Sequence, residues 1–194
     1  MGAVVFFDFE TGGVEPHHPN IQLAAVAMDG HHEVGAFEAK IQFAVSAADP
    51  EALQLNHYTP EAWQGAREEG EVLVGFCEFL RRFADVPMVS KAGRPYKIAR
   101  LAGHNVAAFD CPRLQAACKR HDLFLPGTVF QPLDTYQRAL WWFHENVAAA
   151  EQPKNFKLPT LAEYFGLEAG GAHDALVDVR LCAELAQRLR APAP

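Results

Sequence analysis

The chain has 194 residues, 49% of them hydrophobic and 21% charged, with a formal net charge of −7. That is enough for one domain with a sizeable core and an ordinary globular composition. It excludes a helical membrane span, for which no apolar run approaches the required ~20 residues, and the N-terminal apolar run is too short and too poor in basic residues for a signal peptide.

Residues 3–8, AVVFFD, read as a strand buried on both faces. Asp8 and Glu10 close it, and strand alternation puts both on the face shared by Val4 and Phe6. Residues 12–20, with Pro16 and Pro19, form a loop. A second strand, 21–29, turns at Asp29-Gly30 into a third, 33–43, as an antiparallel meander. Residues 71–83 have helical spacing. Extended pieces at 87–91 and 98–105 flank the turn AGRPYK. Residues 107–122 form a helix, 127–134 a strand and 135–146 a helix. Thr160, with Glu163 three residues on, reads as the capping box of another helix, and the last helix runs over 174–190. This order predicts an α/β fold, a mixed sheet flanked by helices on both faces. We expect one domain over residues 1–190 and a short tail at 191–194. Cys77, Cys111, Cys118 and Cys182 form no C-x-x-C pair and read as reduced, buried thiols of a cytoplasmic protein.

Charge is unevenly spread. Between Arg81 and His121 stand nine of the 17 Lys and Arg residues, against two acids, Asp85 and Asp110. A local basic patch of this kind matters more for phosphate binding than the total charge.

Two helices carry an aspartate at the leading end of an apolar stripe. Asp178 lies three and four residues before Leu181 and Cys182, whose stripe continues through Leu185 and Leu189; Asp110 lies four before Leu114, whose stripe holds Ala117 and Cys118. Alone, Asp110 is equally well a helix-terminal acid, Asp178 an exposed one, and Asp8 with Glu10 a frayed strand end. Together they point to one place. Buried carboxylates are unfavourable unless paired or metal-bound, and no Lys or Arg occurs in residues 1–39. Four carboxylates carry up to −4, which two divalent cations would balance. All-oxygen ligation favours Mg²⁺ or Mn²⁺, and two such ions make a clamp for phosphoryl displacement by water.

DFETGG, HNVAAFD and HDALVD, in that order, resemble the three motifs of the DnaQ-like DEDDh 3′→5′ exonucleases, which include the epsilon proofreading subunit, ribonuclease T and oligoribonuclease. LNHYTPEAW, PLDTYQRAL and LPTLAEYFGL echo the segments between those motifs, so the resemblance covers nearly the whole chain. It implies a ribonuclease H-like five-stranded sheet and two Mg²⁺ or Mn²⁺ ions held by Asp8, Glu10, Asp110 and Asp178, with His173 as general base. The activity it implies is release of nucleoside 5′-monophosphates from single-stranded 3′ ends, DNA favoured. An RNA-trimming or short-oligonucleotide ribonuclease is the alternative, and an inactive nucleic-acid-binding domain that recruits a polymerase is a third. Thr11, Gly12, Asn105 and Phe109, inside the motifs, are expected against the substrate.

Three departures stand out. Asn56, followed by His57, occupies the place where the family often has a histidine; either is a candidate contact for the terminal nucleotide. A turn bearing Lys91, Arg94, Lys97 and Arg100 intervenes before GHN, a phosphate-contacting arm projecting beside the active site or a solvated hairpin. Gln137, Leu140 and Phe143 fit the Q-x-x-L-x-x-F pattern of sliding-clamp ligands, but Trp141 and Phe143 read better as core. Tyr58 and Trp63 likewise read as core before base-stacking residues.

Overall fold

The computed structural model describes residues 2–168 and 174–190. In chain order its elements are β1 (Val4–Thr11), β2 (Asn20–Asp29), β3 (His32–Lys40), α1 (Pro50–Leu55), α2 (Glu69–Arg82), β4 (Val86–Val89), β5 (Pro95–Ile98), β6 (Arg100–Gly103), α3 (Asp110–Arg120), β7 (Leu133–Asp134), α4 (Thr135–Asn146), α5 (Leu158–Tyr164) and α6 (Ala175–Arg188).

β1 is the central strand of a five-stranded sheet ordered β3-β2-β1-β6-β7. It pairs antiparallel with β2, Asp8 opposite Ala24, and β2 pairs antiparallel with β3. On its other side it runs parallel to β6, Val4 beside Arg100 and Phe6 beside Ala102, and β6 runs parallel to β7. Alternation along β1 divides the core. Val5, Phe7 and Phe9 pack with Val72, Leu73 and Phe76 of α2 and Leu114 of α3. Phe6 packs on the other face with Ala175, Val179 and Cys182 of α6. α4 and α5 stand behind α6 through Phe143, Leu161, Leu185 and Leu189. Covered on both faces, β2 is buried almost throughout, which is why it reads as a continuous apolar run. The mixed sheet with helices on both faces is the architecture the sequence led us to expect.

Several boundaries differ from that reading. The strand expected over 127–134 shrinks to Leu133–Asp134 and a single bridge between Ala99 and Gly127. Its middle coils instead, with Gln131 N–H donating to the Thr128 carbonyl, and Pro126 and Pro132 bring no N–H to a ladder. Thr160 does not cap α5, which begins at Leu158 with Lys157 before it and Pro159 in its first turn, where a fixed φ suits the helix. The third strand ends at Lys40 rather than at Phe43. The helix expected from residue 107 starts at Asp110. α1 was not anticipated, although its signal is local: Asp49 accepts from Glu51 N–H at 2.9 Å and Pro50 takes the first helical position. The four cysteines are buried and unbridged, and no described helix is long and apolar enough to cross a membrane.

The Q-x-x-L-x-x-F segment resolves into core and surface. Phe143 is fully buried and Trp142 nearly so, whereas Trp141 is 63% exposed, contrary to its expected packing. A clamp would need Phe143, which the α4–α5–α6 core already holds. Phe143→Ala is expected to cost about 3–5 kcal/mol of stability, and Trp141→Ala to stay within about 0.5 kcal/mol. Chemical denaturation of both variants checks the assignment.

Candidate active site

The carboxyl end of β1 opens into a cleft of about 290 Å³ lined by Asp8, Glu10, Asp110 and Asp178. Three elements deliver them. Asp8 and Glu10 continue the Val4–Phe6 face toward α6, and the pairing of β1 with β2 slips between Glu10 and Thr11, a bulge that ends the regular alternation at the cleft. Asp178 stands in the first turn of α6. Asp110 opens α3 and is buried, its Oδ1 accepting the Phe9 N–H at 3.1 Å, which ties the helix start to the strand between the two acids.

The carboxyls of Asp8, Glu10 and Asp110 are held above their ordinary range. Burial raises Asp8 most, and the charges of Asp110, Glu10 and Asp178 add to it. Glu10 is pushed up to about 7 by burial, then by Asp178 and Asp174. Asp110 also reaches about 7 through burial, opposed by the Phe9 and its own backbone N–H and by the Arg113 guanidinium. No ion pair to Asp8, Glu10 or Asp110 forms among the described residues to relieve this. An all-oxygen, strongly negative donor set fits a hard divalent cation. As placed, no three described His, Cys, Asp or Glu side chains are gathered closely enough to ligate a single ion.

Of the expected substrate contacts, Thr11, Asn56, Asn105 and Phe109 line the cleft. Gly12 is buried behind it, where Gly13 lines instead, and His57 is exposed outside it with φ +51°. Asn56 is a structural tie: its Nδ2 donates to the Thr11 carbonyl at 3.0 Å and the Ala52 carbonyl at 2.9 Å, joining the end of α1 to the end of β1. Tyr58 and Trp63 pack with Ile21 and Leu53, and Trp63 Nε1 donates to the Ile21 carbonyl, as core residues do. His173 lies outside the described residues.

The basic arm is not beside the carboxylates. β4 and β5 form a separate two-stranded sheet, and PYK, expected in its turn, belongs to β5. Arg100 sits beside Val4, at the start of β1, so it is roughly 13 Å along the strand from Asp8. Lys97, Arg94 and Lys91 come earlier still in the chain. Parallel pairing with β1 forces this: β6 enters the sheet at the end away from the cleft and only its carboxyl end reaches the site.

A family model for exonucleases of the ribonuclease T type matches residues 5–90 and 94–186. This chain belongs to the DnaQ-like exonuclease family. It is 30% identical over 196 residues to the PolC-type DNA polymerase III of Latilactobacillus sakei, covering 97% of this chain and 11% of that protein. It is 29% identical over 187 residues to the DNA polymerase III epsilon subunit of Treponema pallidum, covering 94% of this chain and 74% of that protein. Escherichia coli exonuclease I in complex with a dT13 oligonucleotide shares the fold, with a TM-score of 0.75 at 19% identity, over 98% of this chain and 41% of that one. The chain thus spans about a tenth of the PolC-type relative and about two fifths of exonuclease I.

Around the acidic cluster the structure reveals residues that the sequence alone did not single out. Arg113, one turn into α3, gathers the loop after β1: its Nη2 donates to the carbonyls of Gly13, Val14 and Glu15 at 2.8–3.1 Å and its Nη1 to His18 at 3.2 Å. Its guanidinium lies 4.5 Å over the Phe109 ring. The loop it holds is tight: Gly13 has φ +146°, and a Cβ there would run into the His18 ring. Asp134 binds the segment before α3, accepting from Asn105 N–H at 2.9 Å and Ala107 N–H at 3.0 Å, and also caps α4. His104 lines the cleft with Nε2 on the Phe156 carbonyl and Nδ1 on Thr135 Oγ1, both at 2.9 Å; burial lowers its pKa, so it is a neutral spacer. No short motif marks Arg113, and PLDTYQRAL holds Asp134 without showing its role, because the partners of both are main-chain atoms.

The raised carboxyls fix the pH response of the metal-free protein. Folded, Glu10 and Asp110 keep protons up to about pH 7 that the unfolded chain releases near pH 4. Stability therefore falls as pH rises through that window. Asp8→Asn removes a buried ionisable group and is expected to raise metal-free stability at pH 8 by about 1–2 kcal/mol. Thermal melts between pH 5.5 and pH 8 in EDTA check both effects, and a lower Tm for the variant at pH 8 contradicts the repulsion.

Proposed function

We propose that the protein is a metal-dependent 3′→5′ exonuclease that hydrolyses single-stranded nucleic-acid ends, DNA in preference, to nucleoside 5′-monophosphates. The observation that carries this reading is the convergence of four carboxylates from β1, α3 and α6 on one cleft, each raised in pKa or raising another, with no cation of the protein's own paired to Asp8, Glu10 or Asp110 among the described residues. Family membership supports the reaction class. The DNA-polymerase relatives and the oligonucleotide complex of exonuclease I favour DNA as substrate and make a polymerase a candidate partner.

Asp8, Glu10, Asp110 and Asp178 are the residues that would hold two Mg²⁺ or Mn²⁺ ions. Bound there, such ions supply charge neutralisation at the phosphate and an acidified water. The chain's own part is positioning. Asp110 lines the cleft and is fixed through Oδ1 to the Phe9 N–H. Thr11 Oγ1 donates to the Gly13 carbonyl and, with Arg113, holds the cleft wall on which the terminal nucleoside rests against Phe109. Asn105, clasped by Asp134, belongs to the same turn as Phe109, its carbonyl accepting the Phe109 N–H at 3.2 Å. His173, five residues before Asp178 in HDALVD, is assigned the proton of the attacking water, for which an imidazole pKa near 6.5 is suited. We place the protein in the cytoplasm.

Asp8→Asn and EDTA are each expected to abolish turnover, EDTA reversibly on adding Mg²⁺ or Mn²⁺. His173→Ala is expected to lower kcat by roughly 10²–10⁴ while leaving substrate affinity largely intact. Digestion of matched single-stranded DNA, RNA and dinucleotides reads all three effects. Full activity of purified Asp8→Asn overturns the reaction, and a kcat for His173→Ala within about threefold of wild type assigns the base elsewhere.

A further inference from the structure

We propose that the β4–β5 hairpin is a second, remote contact for the phosphate backbone of a long single strand, at the end of the sheet opposite the carboxylates. The inference rests on the exonuclease reading above. It starts from placement: β5 runs through Ala99 into β6, whose first residue pairs with Val4, so the tip stands roughly 35–45 Å from Asp8 if the run stays extended.

The hairpin is built and strongly basic. Val86 pairs with Ile98 and Met88 with Tyr96, so these four share the face on which Ile98 is buried and Tyr96 stands edge-on to Phe124 at 5.7 Å. Lys97, opposite Pro87, takes the outer face. The tip is ordered by three bonds, Ser90 N–H to the Arg94 carbonyl, Gly93 N–H to the Ser90 carbonyl and Arg94 N–H to Ser90 Oγ, all within 3.0 Å. Lys91, Arg94, Lys97 and Arg100 are exposed, as are Arg81 and Arg82 at the end of α2. α2 ends at the same side of the sheet, since Phe83 packs at Gly35, whose partner Ala27 pairs with Val5. Between residues 81 and 100 six cations face one acid, Asp85, and none of the six is in an ion pair among the described residues. The tip, residues 91–93, is also the internal stretch that the family match leaves out.

Exposed cations on a hairpin whose Tyr96 meets an exposed aromatic, Phe124 at 58%, are what a single strand offers partners for: phosphates for the cations, a base face for the ring. An acidic protein surface would use the cations and leave the ring idle. In a protein of net charge −7 the contact holds a long substrate that the acidic remainder repels. A substrate too short to leave the cleft never reaches it.

The test is the variant Lys91→Ala/Arg94→Ala/Lys97→Ala/Arg100→Ala against wild type, with single strands of about 5 and about 30 nucleotides. Affinity is measured in Ca²⁺ across a salt series, and turnover in Mg²⁺. The expected result is a severalfold weaker affinity for the long strand at low salt, and a slope of log K against log salt reduced by up to about 2.8 at about 0.7 per phosphate released. Turnover of the short strand, which also reports that the variant is folded, stays unchanged. Equal long-strand affinity and slope in both proteins overturn the proposal and leave the hairpin to a protein partner or to solvent. Failure of the exonuclease reading looks different: wild type itself would then cleave neither strand.

Discussion

Asp8, Glu10 and Asp110 repel one another at the end of an apolar strand, and each is recessed enough that water does little to soften the repulsion. β1 alone cannot resolve this. Its lower half is locked by Val5, Phe7 and Phe9 into the core under α2 and α3 and by Phe6 into the core under α6, so the acids cannot withdraw without pulling the central strand out of register. The cost of holding them is carried by the two hydrophobic layers. What remains is a cluster of carboxyls that hold protons up to about pH 7, with oxygen donors lining a cleft.

Main-chain clasps then shape the cleft around this charge. Arg113 and Asn56 each grip carbonyls of the segment that follows Glu10, and Asp134 grips the N–H groups that precede Asp110. Bonded to main chain, these side chains order the loops around the cleft, and the Arg113 charge also offsets part of the field at Asp110.

The gathering of the four carboxylates on one cleft was legible in the sequence because they obey strand and helix periods: Asp8 and Glu10 share the face of Phe6, and Asp110 and Asp178 lead apolar stripes, and those relations survive in the fold. The sheet and its two helical layers were legible for the same reason. What failed were features set by pairing partners far away. The arm bearing Lys91, Arg94, Lys97 and Arg100 precedes the Asp110 motif closely in sequence, yet parallel pairing of β6 with β1 carries it to the other end of the sheet. Trp141 and Trp142 are neighbours of one residue type, and only the phase of α4 against α5 and α6 decides which is buried. Arg113 and Asp134 act on backbone atoms and leave no pattern of side chains to read.

The central claim, that the cleft's repulsion is relieved by divalent cations, is tested most directly by titrating Mn²⁺ into metal-free protein at pH 7 by calorimetry in two buffers of different ionisation enthalpy. Since Glu10 and Asp110 titrate near pH 7, binding is predicted to release protons, seen as a buffer-dependent heat, with two ions bound per chain and the release diminished in Asp110→Asn. Binding without proton release, or no binding at millimolar Mn²⁺, would contradict the account.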